Sequence, residues 1–216
     1  MTQRLVVIGA GGFGREVLDV IEAINSCAAT PEFEPIGVLD DGTPEAAVLG
    51  PYGVQHLGPV SLLGDLPHDV GYVIGIGSPG VRQALDQKGL DLGRVSPVLV
   101  HPSAAIGRHA VELGPGTIVC SHVSITNNIR LGRHVHVNLN ATIGHDAVLD
   151  DYVTLSPLVA ISGNVHAETG VFFGTGANVN PGLTIGRGAV VGTGAAVIKD
   201  VPAGLTVVGV PAKPRA

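Results

Sequence analysis

Reading every sixth residue from Leu113 gives Leu113, Val119, Ile125, Leu131, Val137, Ile143, Leu149, Leu155, Ile161, Ala167, Phe173, Val179, Ile185, Val191 and Val197, all apolar. The residue two places before each is small or β-branched almost throughout, from Thr117 and Val123 to Ala189 and Ala195, with Ile129 and Leu183 the larger exceptions. Gly, Asn or Asp often follows, as at Gly114, Asn138, Gly144, Asp150 and Gly192. A helix repeats its faces about every 3.6 residues and a strand every second one, so neither has a period of six. A hexad that makes one short strand and one corner does, with its apolar residue pointing into a narrow prism. Three hexads close a coil, and the fifteen hexads therefore predict five coils of eighteen residues in a left-handed parallel β-helix. Ile106 to Leu113 spans seven residues, which predicts one irregular coil ahead of the regular ones.

A narrow prism has little room for rings, and the composition agrees: Gly is 32 of 216 residues, Trp is absent and aromatics are 3%. The 45% hydrophobic content suffices to bury a core. A net charge of −6 without a Lys/Arg cluster argues against a nucleic-acid surface, which needs concentrated positive charge. No stretch approaches the roughly 18 apolar residues of a membrane span, and the first residues lack a charged segment followed by a long apolar run. A soluble, cytoplasmic protein is expected. Cys27 and Cys120 are far apart and outside any ligand motif, so free thiols, no disulfide and no metal are expected.

The first 98 residues follow another grammar. An apolar strand at 5–8 leads through a Gly-rich turn to a helical segment at 15–24, then to a strand at 36–39 ending in Asp40-Asp41. A strand at 73–76, a helical stretch at 81–87 and a strand at 95–100 deliver the chain to His101-Pro102. Alternating strands and helices predict a Rossmann-like α/β nucleotide-binding domain over 1–98, followed by the β-helix over 99–202 and a tail over 203–216.

Gly9-Ala10-Gly11-Gly12-Phe13-Gly14 lies between a strand and a helix, where glycines let the backbone approach a phosphate and the helix N-terminus offers free N–H groups. It admits a dinucleotide reading, with Asp40 as the ribose-binding acid, and a purely structural turn. Fewer than 100 residues precede the solenoid, which favours a mononucleotide half. Among nine histidines, His109, His122, His134 and His136 fall on corners or outward positions, where a solvated or neighbour-bonded ring is expected. His145 stands apart because Asp146 follows it at a corner. A carboxylate beside an imidazole fixes its tautomer and suits a general base. Counting by eighteen puts Gly163 one coil above His145 and Asn127 one below, about 4.8 Å per step. The Gly163 N–H can then donate to an oxyanion formed on a thioester.

Taken together, Gly9 to Arg15, Leu39-Asp40-Asp41, Ile76-Gly77-Ser78 with Arg82, His101-Pro102, Asn138 to Asp146 and the closing Val208 to Lys213 resemble the nucleotide-sugar acetyltransferases of the bacillosamine, perosamine and sialic-acid type. The resemblance implies a homotrimer with active sites between neighbouring β-helices. It implies a nucleotide sugar on the N-terminal domain and acetyl-CoA along the solenoid. His145 and Asp146 match the catalytic base and its acid, Asn138 a polar neighbour, and Gly163 the backbone near the thioester. Gly11, Gly12, Phe13, Asp40, Asp41, Gly77, Ser78 and Arg82 match substrate-binding positions. Gly163, His166, Thr175, Gly176, Thr193, Pro211 and Lys213 match the coenzyme site. Many relatives carry His where Phe13 stands, and Ser78 replaces a commoner Asn or Asp. The expected reaction is N-acetylation of a UDP-linked amino sugar; O-acetylation of a sugar hydroxyl and a non-catalytic scaffold are the alternatives.

Overall fold

The computed structural model describes residues 2–215. Strand β1 (Gln3–Ile8) is followed by helix α1 (Gly12–Cys27), strand β2 (Phe33–Leu39), a short helix α2 (Ala46–Leu49), strand β3 (His56–Gly58), strand β4 (Gly71–Ile74) and helix α3 (Pro79–Asp91). The four strands form one sheet in the order β3-β2-β1-β4, and every pairing is parallel. β1 lies in the middle, and Leu5, Val6, Val7 and Ile8 are fully buried. Such a sheet needs both faces covered, which explains the continuous apolar run.

Two glycines, Gly14 in α1 and Gly75 just after β4, are required by packing. A Cβ on Gly14 would lie 1.9 Å from the Gly9 carbonyl oxygen, and one on Gly75 2.5 Å from the Gly14 Cα, so only glycine lets α1 press onto the strand ends. Gly9 itself has φ +104°, in the range that favours glycine.

From Leu99 the chain winds into the β-helix. Three sheets of short parallel strands form its walls, beginning with Leu99–Val100, Ala105–Ile106 and Val111–Leu113. Each strand pairs with the one eighteen residues on, as His136 with Thr154 and Thr142 with Ala160. The irregular first coil is present: Val100 pairs with Val119 and Ile106 with Ile125, while Leu113 pairs with Leu131. The apolar hexad residues fill the prism, and Val119, Val137, Leu149, Leu155, Ala167 and Phe173 are completely buried. Each buried Val, Leu or Ile contributes up to about 1.5–3 kcal/mol, so the wall strands are held by the column of their own inward residues. The tail, as far as residue 215, does not leave the solenoid: Thr206–Val208 pairs with Val190–Val191, and Lys213–Pro214 folds back antiparallel on it.

The corners repeat too. Residues with left-handed backbone recur every six positions, and from Gly170 through Gly176, Gly182, Gly188 and Gly194 all are glycine. Between them and the start of the solenoid the same backbone is taken by His122, Asn128, His134, Asn140, Asp146, Tyr152, Leu158 and Asn164. A non-glycine residue there costs roughly 1–2 kcal/mol, least for Asn and Asp. These side chains are therefore where to look for work that glycine cannot do.

The N-terminal domain covers one wall. Leu99, Ile118 and Cys120 join the core made by Leu5, Val7, Val17, Leu18 and Ile21, so the first coils complete the α/β domain.

Candidate active site

His145 sits at the corner that joins Thr142–Ile143 to Val148–Leu149. Its Nδ1 lies 2.7 Å from Asp146 Oδ2, and the two side chains are 59% and 41% exposed. Asp146 has φ +60°, a backbone that Asp tolerates and that turns its carboxylate back to the preceding ring. Its other oxygen, Oδ1, accepts a hydrogen bond from Asn128 Nδ2 at 2.5 Å. Asn128, at φ +54°, occupies the equivalent corner one coil below. Hydrogen bonds from Asn128 and then His145 hold the Asp146 carboxyl below its usual range. With Nδ1 against a carboxylate, the imidazole keeps Nε2 as the free atom. The ring lies over Gly163: a Cβ there would stand 2.6 Å from Cε1 and Nε2 of His145. Gly163 has no unusual φ, so its want of a side chain is explained by the ring above it.

The glycine loop forms a second centre. Gly11 and Gly12 open α1, and a Cβ on either would meet nothing within 4 Å. Protein packing therefore does not explain these glycines, and the same holds for Gly77 and Gly80 at the start of α3. The α1 N-terminus has no side-chain cap and no acid in its first turn, which leaves its N–H groups and dipole available to an anion. Beside it, Gly9, Asp40, Asp41, Val60, Ile76 and Val81 line a recess of about 160 Å³. A roomier groove of about 340 Å³ beside Leu18, Pro51 and Tyr52 has neither the glycine loop nor the His145–Asp146 pair.

The acids flanking that recess are partly engaged already. Asp40 Oδ2 accepts from the Ala10 N–H at 2.7 Å and Oδ1 from Gly42 at 2.8 Å, so Asp40 first of all fixes the glycine loop to β2. Asp41 Oδ1 accepts from Val60 N–H. Ser78 is exposed at the N-terminus of α3 without capping it.

Arg82 corrects an expectation. It is wholly buried, and its guanidinium donates to the carbonyls of His134, Tyr152, Ile76 and Gly77 and to Thr154 Oγ1, with separations of 2.7–3.1 Å. Burial lowers its pKa to about 9, which leaves it charged at neutral pH. With no face open to a ligand, Arg82 is not a direct substrate contact; it ties the Gly77 loop to the solenoid. Of the histidines expected to be solvated or neighbour-bonded, His109 and His122 are exposed, whereas His134 and His136 are fully buried at the same junction. His136 packs on Phe13 with ring centres 4.9 Å apart and neither nitrogen bonded. His134 Nε2 is 2.8 Å from Asp86 Oδ1, though off the line of a well-directed hydrogen bond. Asp86 also takes Arg133 at 2.7 and 2.8 Å, the Tyr152 hydroxyl at 2.7 Å and the Tyr72 hydroxyl. Burial alone would raise the Asp86 pKa, but these bonds outweigh it and hold it far below the ordinary range.

The residues matched to a coenzyme site are spread along the upper coils. Thr175 and Thr193 are exposed and stacked in one column, where Gly194 N–H donates to the Thr175 carbonyl. A Cβ on Gly176 would meet nothing within 4 Å. His166 Nε2 lies 3.0 Å from Asp150 on an outer wall. Pro211 and Lys213 are exposed in the returning tail, which Ala212 anchors by its N–H to the Ala196 carbonyl. Asn138 is buried, with Nδ2 donating to the Leu155 carbonyl, and makes no hydrogen bond to His145. The sequence reading missed Asn128, although the count of eighteen that relates His145 to Asn127 places Asn128 beneath Asp146.

A Gly-loop α/β domain fused to a hexapeptide β-helix with an exposed His–Asp corner defines a nucleotide-binding acyltransferase architecture. The family described as the PglD N-terminal domain matches residues 4–88. The solved acetyltransferase domain of PglB from Neisseria gonorrhoeae FA1090 is 32% identical, with a TM-score of 0.90 over 99% of this chain and 100% of that one. A perosamine N-acetyltransferase from Caulobacter crescentus, solved with CoA and GDP-perosamine, is 32% identical with a TM-score of 0.85 over 98% of this chain and 96% of that one. GDP-perosamine N-acetyltransferase of Escherichia coli O157:H7 is 32% identical over 85 residues, 39% of this chain and 38% of that protein's length. The chain belongs to the nucleotide-sugar acetyltransferase family.

Proposed function

We propose that this protein transfers the acetyl group of acetyl-CoA to the amine of a nucleotide-linked amino sugar, with His145 as general base. One observation carries the reading: His145 is held on Nδ1 by Asp146 while its ring lies over Gly163, which leaves Nε2 free in an exposed corner. The amine nitrogen attacks the thioester carbonyl, Nε2 takes the proton released from nitrogen and returns it to sulfur as the carbon–sulfur bond breaks, so CoA leaves as the thiol. Gly163 lies against the ring, and we assign its N–H as the donor to the oxyanion. Gly11 and Gly12 at the α1 N-terminus hold the diphosphate, and Asp40 and Asp41 border the recess for the nucleoside. Thr175, Gly176 and Thr193 line the path of the pantetheine arm, with His166, Pro211 and Lys213 at its margins.

The relatives support the same reading. The PglB domain was also solved in complex with acetyl coenzyme A, and the Caulobacter enzyme holds a GDP-linked sugar. That nucleotide removes the reason to favour UDP, so the nucleobase is left to experiment. The exposed His145 gains a wall if the protein is a homotrimer with the site between neighbours, and the uncovered Leu158 and Ile198 side chains, 59% and 48% exposed, fit burial between copies. No helix among the described residues is long and apolar enough to cross a membrane.

The test is thiol release with UDP- and GDP-linked amino sugars, GDP-perosamine among them, and their hydroxyl counterparts, for the wild type and His145→Ala. We expect transfer to an amine, and a kcat about 10²–10⁴-fold lower in the variant with little change in the KM for acetyl-CoA. An unaltered kcat would remove His145 from the chemistry.

A further inference from the structure

We infer that Asn128 is a positioning residue for acyl transfer, acting through Asp146 to fix the orientation of the His145 imidazole. The inference rests on His145 being the base. Its support is independent of that role and lies in the way the corner is built.

Asn128, Asp146 and Asn164 occupy successive left-handed corners on one edge of the prism, followed by Gly182. The backbone at these corners is a ladder: the Asp146 N–H donates to the Asn127 carbonyl, Asn164 to His145 and Gly182 to Gly163. Glycine meets the same conformational demand at Gly170, Gly176, Gly182, Gly188 and Gly194. An amide at 128 is therefore not needed to turn the chain, and what it adds is the bond from Nδ2 to Asp146 Oδ1.

That bond settles how the carboxylate points. Asp146 is on the surface, where an unrestrained side chain would rotate between several rotamers. With Oδ1 taken by Asn128, Oδ2 is presented to His145 Nδ1 at 2.7 Å. The imidazole is then fixed in both rotation and tautomer, with Nε2 left on the side of Gly163. Asn128, Asp146 and His145 form a linear relay running up the corner by one coil. The junction histidines are held from every side by packing, whereas this ring is held from one side by two polar neighbours.

The test uses full-length Asn128→Gly and Asn128→Asp proteins, with His145→Ala as control, and reads kcat, the KM for acetyl-CoA, the pH profile and the unfolding midpoint. Asn128→Gly keeps a residue suited to φ +54° and removes only the amide. We expect its kcat to fall about 3- to 30-fold, less than the full worth of a hydrogen bond to a charged group because the corner is open to water, with the KM for acetyl-CoA and the midpoint unchanged. Asn128→Asp places a second negative charge near the pair. It should move the acid limb of the profile to higher pH by about half a unit, less at high salt. A purely structural residue would change the midpoint and leave the limb in place.

If His145→Ala is inactive while Asn128→Gly keeps kcat within twofold and Asn128→Asp leaves the limb unmoved, the positioning role is wrong and the base stands. If His145→Ala is active, both fall. Should Asn128→Gly unfold, the limb of Asn128→Asp decides alone.

Discussion

Two of the protein's histidine–aspartate pairs have their histidine at a corner of the solenoid, with nearly equal separations of 2.8 Å for His134 with Asp86 of α3 and 2.7 Å for His145 with Asp146. In the first pair both side chains are fully buried, and Asp86 is surrounded by Arg133, Tyr72 and Tyr152 as well. In the second, Asp146 meets one amide and the imidazole keeps an open edge. What separates a structural pair from a reactive one here is burial, together with how many of the carboxylate's hydrogen-bonding positions are already filled. A buried pair cannot take up a proton without loosening the junction between the domains. An exposed one can exchange a proton with a substrate at small structural cost.

Removing the aspartate should expose this difference most sharply. Asp86→Ala leaves the Arg133 guanidinium, two tyrosine hydroxyls and His134 at a buried site without their acceptor. Loss of one partner of a buried ion pair costs about 3–5 kcal/mol. Denaturant unfolding should show a loss of that size, with the sheets docked less firmly and activity lost together with the fold. Asp146→Ala, at an exposed corner, should lower kcat with little loss of stability. Equal stability losses in the two variants would break the comparison.

Acid should act first on the buried junction that holds His134 and His136. Desolvation lowers the pKa of His134, and that of His136 well below its ordinary value. For a base whose folded pKa is depressed, the unfolded chain binds more protons, so stability is full above the unfolded pKa of about 6.5 and falls as pH drops below it. Each histidine contributes up to about 2 kcal/mol of destabilisation between pH 7.5 and 5. Asp86, whose folded pKa is also depressed, acts in the same direction only below its unfolded value near pH 4. His136→Phe keeps a ring against Phe13 and cannot titrate. Its loss of stability from pH 7.5 to 5 (an assay window) should be no more than about half that of the wild type, because His136 carries the larger shift; an identical loss would place the acid sensitivity elsewhere.

The two regions also differed in how far they could be read in advance. The solenoid was legible because its period comes from one repeated local rule, and the irregular coil was visible as the seven-residue step before Leu113. The exposed pair was legible because His145 and Asp146 are adjacent in sequence. Asp86, Tyr72, Arg133, His134 and Tyr152 are brought together from β4, α3 and two coils, and no spacing links them. Gly89, inside α3, carries a faint signal: a Cβ there would lie 2.3 Å from the Tyr72 ring, so the helix accepts a poor helix former to admit that ring. Arg82 was misread because its place near the Gly77 loop is real, while only the fold shows it facing inward. Asn128 was within reach of the eighteen-residue count once the corner was taken as two residues wide.

The smallest expected effect on stability is at Gly163, and it tests the open side of the reactive pair. Its backbone is compatible with any residue, and a Cβ would meet the end of the His145 ring at 2.6 Å, where the neighbour is an exposed side chain free to rotate away. Gly163→Ala should therefore change stability by no more than about 0.5 kcal/mol. The displaced ring would lose its alignment with Asp146 and with the amide at 163, and a misplacement of about 1 Å at a reacting centre can cost on the order of 100-fold in rate. Measured together, an unchanged unfolding midpoint and a kcat lowered at least tenfold would establish that the free edge of His145 faces Gly163 during the reaction. A fully active Gly163→Ala protein would show that the imidazole works from another rotamer, and that the geometry linking Asn128, Asp146 and His145 is not the one used in transfer.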